Sequence, residues 1–361
     1  MNKITNKQIF YILFISMTAY NVVSIPYTMS RAAGRGGWTS VVAASLIFAL
    51  SSLFVSGLNK MYEGKILAEY GSEIVGKFFS YVVLLYYFIY FIIIFVYLEC
   101  QIINLINAEF LLKTPKFVIA FIGIAVIGYI SYKGVISIAR LLEILVPLFI
   151  IFSVIIFTMA LFQGLDYNLM PVYEPSKLSL YIKGIIPAII PFLGAEVMFA
   201  IPFSKDNKKP SLLLFSTIIF VGLYYVLTIQ SSIKILGVNT VSHYKTAVIE
   251  AFRMVEIPLL ERVDILYLTL GFSGLILGTT TVYMAASEIL CKVFPKIRRD
   301  VAMACIGIVL YALVMVGDIM FKDISKTFGG LITVLGLISA AALPVILFII
   351  AKVRKNVKKS S

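Results

Sequence analysis
Apolar runs, each about as long as a bilayer is thick, follow one another through this chain almost without pause. A helix rising 1.5 Å per residue needs about 20 apolar residues to cross the hydrocarbon core. Spans are read near 8–30, 38–59, 79–107, 116–132, 136–162, 182–204, 210–236, 263–290, 300–318 and 328–351. The connections hold the breakers and charges: Gly34 to Gly37, Lys113 to Lys116, Tyr132 to Gly134, Gly164 to Lys177, Lys205 to Pro210, and Pro295 to Asp300. A soluble domain averages about 45–50% apolar and about 25% charged residues. Here 61% are hydrophobic and 14% charged, more apolar surface than a water-soluble fold hides. The expectation is an all-α integral membrane protein of about ten transmembrane helices, one transmembrane domain over 1–361.

A net charge of +13 would suggest nucleic acid in a soluble protein. In this chain the Lys and Arg residues fall in loops, where they orient the spans and face anionic headgroups. The larger share lies on the side of the N-terminus, the even-numbered loops and the tail Lys352, Arg354, Lys355, Lys358, Lys359, which places both ends in the cytoplasm. The first run follows Lys3 and Lys7, continues to Pro26 and lacks a small-residue cleavage site, so it reads as a retained helix. Cys100, Cys291 and Cys305 stand apart beside apolar runs, His243 is the sole histidine, and no disulfide, metal or cofactor pattern is expected. No serine triad, P-loop or paired-carboxylate pattern points to an enzyme.

Two segments do not span. Residues 61–77 mix Ile66, Leu67, Ile74 and Val75 with charges, as a helix lying at the interface would. Residues 238–262 carry His243, Lys245, Glu250, Arg253, Glu256, Glu261 and Arg262, and read as a helical cap between spans seven and eight.

Spans one and six each end on Ile-Pro, at Ile25-Pro26 and Ile201-Pro202, and each opens a set of five spans. Span six also holds Pro187, Pro191 and Gly194 just before Glu196. Transporters built from inverted repeats interrupt corresponding helices and bind solute at the breaks, so a 5+5 arrangement with pseudo-repeats near 8–162 and 182–351 is expected. Charges at membrane depth cost about 2.5–3.5 kcal/mol each even on lenient scales. Glu196 is assigned to a pocket or gate. Glu99, with Tyr97 and Gln101 nearby, is expected to face an aqueous vestibule. Arg140 and Glu143 are expected to pair on span five, and Glu288 and Lys292 on span eight. Thr279, Thr280 and Thr281 either line a site or bond back to their own helix. The run Tyr86, Tyr87, Phe88, Tyr90, Phe91 reads as packing.

Several segments taken in order resemble the B subunit of bacterial spore germinant receptors, the endospore germination permeases of the amino acid–polyamine–organocation superfamily. They are Gly37-Trp38-Thr39; Gly64-Lys65 through Ala68-Glu69-Tyr70; Ile138-Ala139-Arg140 with Glu143 and Pro147; Asn168-Leu169-Met170-Pro171; Phe192-Leu193-Gly194-Ala195-Glu196-Val197-Met198 with Pro202; and Leu260-Glu261-Arg262. The resemblance implies a ten-helix inverted repeat in the spore inner membrane. It implies partners, an A-type subunit and a C-type lipoprotein, and a role in sensing a small nutrient, usually an amino acid, to trigger ion release and germination. It further implies binding at the two breaks, by Tyr20, Asn21, Val22 and Ser24 and by Phe192, Leu193, Gly194, Ala195 and Glu196, with Tyr97, Thr279 and Thr280 lining the pocket. Where the family carries a glycine-rich turn in span one, this chain has Ala19-Tyr20-Asn21, whose side chains narrow that pocket. The competing function is a secondary amino acid or amine transporter driven by protons or sodium.

Overall fold
The computed structural model describes residues 4–165, 175–204, 206–255, 263–320 and 324–360, and among these every regular element is a helix. Seven segments are long and apolar enough to cross a membrane: Ile25–Met61, Lys77–Glu109, Val135–Gln163, Pro210–Val241, Asp264–Val293, Arg299–Gly317 and Phe328–Asn356. Outward faces of the long helices stay apolar, with Leu85, Ile144, Ile151, Leu223 and Ile308 among the exposed side chains. That is the surface lipid accepts and water does not.

Helix α1 (Asn6–Asn21) starts on a capping box, the Thr5 hydroxyl accepting from the Gln8 N–H and the Gln8 side chain accepting from the Thr5 N–H. A three-residue turn separates it from α2 (Ile25–Ala33), and a 3-10 turn, Gly34–Gly36, leads straight into α3 (Gly37–Met61). The short α4 (Leu67–Val75) precedes α5 (Lys77–Glu109), α6 (Lys116–Tyr132) and α7 (Val135–Gln163), the last accommodating Pro147 internally. After α8 (Leu178–Gly184) no α-helix forms until α9 (Pro210–Val241), which α10 (Ala247–Arg253) and α11 (Val263–Val293) follow. The chain closes with α12 (Arg299–Met320), α13 (Ile324–Leu337) and α14 (Leu343–Ser360). Residues 182–204 are thus not one kinked helix. With Pro187 and Pro191 removing two donors from the ladder, the segment unwinds to 3-10 turns at Ile190–Phe192 and Ala195–Ala200. The longest mutual packing joins α3 to α9, while α1 lies in the centre against α7, α9 and α11.

The two expected non-spanning helices are present. At one end α4 lies on α5, α11 and α14. Its start is capped by Glu69, whose carboxylate accepts from the Ile66 N–H at 3.0 Å and from Lys292 at 2.6 Å. At the other end α10 is tied by Arg253 to Glu109 of α5 at 2.7 Å and to Glu250 at 2.7 Å. Of the 238–262 cap, residues 256–262 fall outside the described residues, as do Asn168 to Pro171 and Leu260 to Arg262 of the resembling segments. Two expected ion pairs do not form. Arg140 and Glu143 both project outward from α7 without bonding each other. Glu288 instead takes Arg299 at 2.7 Å and Lys292 takes Glu69, because tertiary contacts bring better-placed partners than the i,i+4 neighbour.

Between α13 and α14 the helix widens to a π-turn, Ile338–Ala342. Pro344 has no N–H to offer the Ala340 carbonyl, which is bonded instead by the Ser51 hydroxyl of α3 at 2.6 Å. Tyr86 and Tyr87 of α5 donate to the Leu335 and Ser339 carbonyls, each at 2.8 Å. These tyrosines, read from sequence as packing, clamp the turn. Tyr87→Phe is expected to lower stability in lipid nanodiscs by about 1–3 kcal/mol, the cost of an orphaned buried acceptor, as read by thermal unfolding.

The Glu69 carboxyl is raised by partial burial but lowered further by Lys292 and the Ile66 N–H, for a net fall below its ordinary 4.5. A carboxyl lowered in the fold stabilises it at neutral pH and loses that contribution as the pH drops through and below that range. Acidification in wild type, and Glu69→Gln at neutral pH, should therefore raise amide exchange in α4. The effect is capped at about 1 kcal/mol because the pair is partly solvated.

Candidate functional site
The second break packs on α1 at Ser16 and Met17, ahead of the first break. At the first, the Val22 N–H still reaches the Thr18 carbonyl at 3.1 Å, then the Ser24 N–H turns back to Asn21 at 3.1 Å and α2 restarts with Pro26 in its first turn. The Ser24 hydroxyl donates to the Asn21 side-chain oxygen, so these two expected site residues bond each other. Val22 is buried, and the Tyr20 side chain lies outside the described residues.

At the second break Gly194 adopts φ 113°, a conformation open to glycine and strained for other residues. A methyl group there would stand 2.8 Å from the carbonyl carbon and oxygen of Ser16 on α1, so the turn also needs the missing side chain for contact. The Gly194 N–H donates to both Glu196 carboxylate oxygens, at 3.0 and 2.9 Å, and Tyr90 of α5 donates to Oε1 at 2.5 Å. Glu196 is fully buried and meets donors only. Its carboxylate replaces the helical partners that the break removed, and among the described residues no cation touches it. Before the glycine, Phe192 stacks on Phe48 of α3 and meets Tyr225 of α9 edge-on, while Leu193 packs against Gly336 of α13. Ala195 is buried as well.

Tyr225, Asn59 and Ser16, not singled out from sequence, complete the junction together with Thr281 of the threonine run. The Tyr225 hydroxyl lies 3.0 Å from the Met17 carbonyl and 3.1 Å from the Pro191 carbonyl, bridging the two interrupted segments. Asn59 of α3 donates to the Met198 carbonyl at 3.2 Å. The Ser16 hydroxyl of α1 shares a 2.8 Å bond with Thr281 of α11. No sequence signal marks a tyrosine in a helix already rich in aromatics as the one that reaches two breaks. The excess of carbonyls created by Pro187 and Pro191 says only that some donor must come.

Thr279 and Thr280 donate to the Leu275 and Ile276 carbonyls of their own helix, at 2.9 and 2.7 Å, which is the back-bonding alternative. Tyr97 is buried and accepts from Gln101 at 3.1 Å, away from the Gly194 turn. Glu99, expected at a vestibule, is fully buried instead. The structure therefore joins Gly194, Glu196 and Phe192 in one junction, pairs Asn21 with Ser24, and leaves Thr279 and Thr280 bonded to their own helix. A cavity beside the 3-10 segment, lined by Leu67, Tyr87, Phe91, Phe199, Ala200 and Ile289, measures about 10 Å³, room for about one water. Among the described residues no group of His, Cys, Asp and Glu is placed to hold a metal. At Gly194 the unwound segment approaches α1 too closely to leave room for even a methyl group.

A family model described as "Spore germination protein" matches residues 3–321. Spore germination protein B2 of Bacillus subtilis (strain 168) is 29% identical over 336 residues, covering 83% of this chain and 89% of that one. Spore germination protein YndE of the same organism is 26% identical over 367 residues, with 99% of each chain covered. Among solved structures, MhsT in complex with L-phenylalanine superposes with a TM-score of 0.67 at 15% identity, covering 97% of this chain and 89% of that one. A Na+-coupled sialic acid symporter in a substrate-bound outward-open state gives 0.60 at 13% identity, covering 92% and 78%. At these identities the structures establish shared fold alone, that of a multi-pass membrane protein with interrupted helices at its centre. The chain belongs to the spore germination protein family.

Proposed function
We propose that this chain is the transporter-like membrane subunit of a spore germinant receptor, sensing a small amino-acid-like nutrient at the junction of its two broken helices and triggering ion release. The observation that carries the reading is the Gly194–Glu196 turn lodged on the α1 backbone. Two unwound segments pressed together at mid-bundle form a site that can part to admit a solute, and membranes tolerate such backbone only around protein or a cavity. In the closed form Gly194 and Glu196 bond each other, as do Asn21 and Ser24. A nutrient shifts the population only by binding the parted form more tightly.

The ten-span, 5+5 arrangement is part of this reading. Seven long segments plus α1, α6 and the unwound 178–200 stretch make ten. The order of broken span, long helix and short interfacial helix occurs twice, as α1–α2, α3, α4 and as 178–200, α9, α10. The proposed setting is the spore inner membrane with both termini on the core side. The proposed partners are A-type and C-type subunits, and the chain is not an enzyme. The family likeness to spore germination proteins, including GerLB of Bacillus cereus at 23% identity, supports the receptor reading over a freestanding carrier. The symporter-like fold is what favours the second reading, a secondary amino acid or amine transporter coupled to protons or sodium.

Affinity purification from spores separates the two. A receptor subunit brings A- and C-type proteins with it, whereas gradient-driven uptake of labelled amino acid by the isolated chain in proteoliposomes would defeat the receptor reading.

Within the site, Glu196→Gln removes a charge-assisted acceptor worth about 1.5–3 kcal/mol. It should shift the nutrient dose–response of a complemented deletion strain by about tenfold or more, with membrane levels unchanged. Gly194→Ala combines the left-handed penalty, roughly 1–2 kcal/mol, with the clash on Ser16. It is expected to reduce folded protein, as read by size-exclusion of a fluorescent fusion. An unaltered dose–response in Glu196→Gln at normal levels removes that carboxyl from the site.

A further inference from the structure
Among the described residues two glutamates are fully buried, and their surroundings are opposite. Glu196 collects three donor contacts. Glu99, in the C-terminal half of α5, has no hydrogen-bond partner for either carboxyl oxygen. Its Oε1 lies against α6, so that a methyl group on Gly123 would stand 2.3 Å from it. On α6 the buried side chains around Gly123 are Ile119, Ala120, Ile124 and Ile127.

No described charge balances it. On α5, Tyr97 is bonded to Gln101, and the Cys100 thiol is buried. On α6 the titratable groups are Lys116 at the first residue and Tyr129 and Tyr132 near the other end. On α11, Tyr283 gives its proton to the Met303 carbonyl at 2.6 Å, while Asp264, Glu288 and Lys292 are committed at the helix ends to Arg253, Arg299 and Glu69. On α12, Asp300 pairs with Arg298, Cys305 is exposed and Tyr311 packs edge-on against Phe121. The Asp318 side chain of α12 and the Lys326 side chain of α13 lie outside the described residues. On α4, Glu69 and Glu73 are held by Lys292 and Lys65 beside the opening turns of α5.

An ionised carboxylate needs donors or a counter-charge to persist out of water, and without them it takes up a proton instead. A metal cation would need several further oxygen ligands, and among the described residues no group of His, Cys, Asp and Glu is placed to hold one. We infer that Glu99 is a proton-binding site: the closed form of this protein holds one proton on the Glu99 carboxyl, in the seam between α5 and α6, and any form that lets water into that seam releases it. The step is carboxylate plus one proton from solvent giving the neutral acid, with no other bond changed. It follows by linkage that acid favours the closed form and alkali the opened one, by up to about tenfold per pH unit for one proton. This site does not depend on what fills the junction between the breaks, so a failure of nutrient sensing would leave it standing.

Infrared spectroscopy of the purified full chain in nanodiscs across a pH series tests it, with Glu196→Gln as the comparison variant. The carbonyl stretch of a protonated carboxyl group should persist in wild type well above the pH at which ordinary carboxyls ionise. It should be lost in Glu99→Gln, remain in Glu196→Gln, and shift in Gly123→Ala, whose methyl crowds Oε1. Glu99→Gln, a neutral side chain of the same shape, should also make closed-form stability less dependent on pH. If Glu99→Gln does not fold, the wild-type band and its shift in Gly123→Ala carry the test. No such band in wild type, or a band indifferent to both Glu99→Gln and Gly123→Ala, overturns the proposal.

Discussion
Everything central in this fold depends on how backbone groups released from two interrupted helices are satisfied where water is scarce. A peptide N–H or C=O without a partner in hydrocarbon costs several kcal/mol, so each break must bring its own donors and acceptors. Glu196 accepts from the Gly194 N–H, Tyr225 reaches carbonyls on both segments, and Asn59 covers Met198. The same solution recurs at the π-turn, where Ser51, Tyr86 and Tyr87 hold three freed carbonyls. The interruptions are therefore specific, hydrogen-bonded structures rather than kinks left over from proline.

That arrangement has a consequence for any opening of the junction. Bonds that stay within α1 alone would let the break open without disturbing its neighbours. Instead α3, α5, α9 and α11 each contribute a side chain to the junction, through Asn59, Tyr90, Tyr225 and Thr281. Parting the breaks must exchange partners on four helices at once, and a packed core with two discrete arrangements converts a small local event into a large one. The ion-paired helices α4 and α10 sit at the two ends of the bundle, on solvated bonds that cost little to exchange.

The class of fold was legible from the spacing of apolar runs, and so were the interfacial helix near 61–77, the cap that holds Arg253, and the interruption at Pro187, Pro191 and Gly194. Each is a local property, set by hydropathy over a helix length or by a residue that cannot continue one. The ion pairs were misjudged for the complementary reason. Glu288 and Lys292 are ideal neighbours on a helix surface, yet Arg299 and Glu69 arrive through the fold.

By itself the sequence determined that this chain must be helical, that it must lie in a bilayer, and where its ladder of backbone bonds must fail, because composition and proline act on the chain locally. Only the tertiary structure decided which groups answer those failures and how a buried acid is treated. Glu196 and Glu99 are the same residue at the same degree of burial, one ringed by donors and the other without a hydrogen-bond partner against a glycine of α6. Their difference is made entirely by neighbours remote in sequence, since in a medium that solvates poorly, the nearest few ångströms fix the state of a charge.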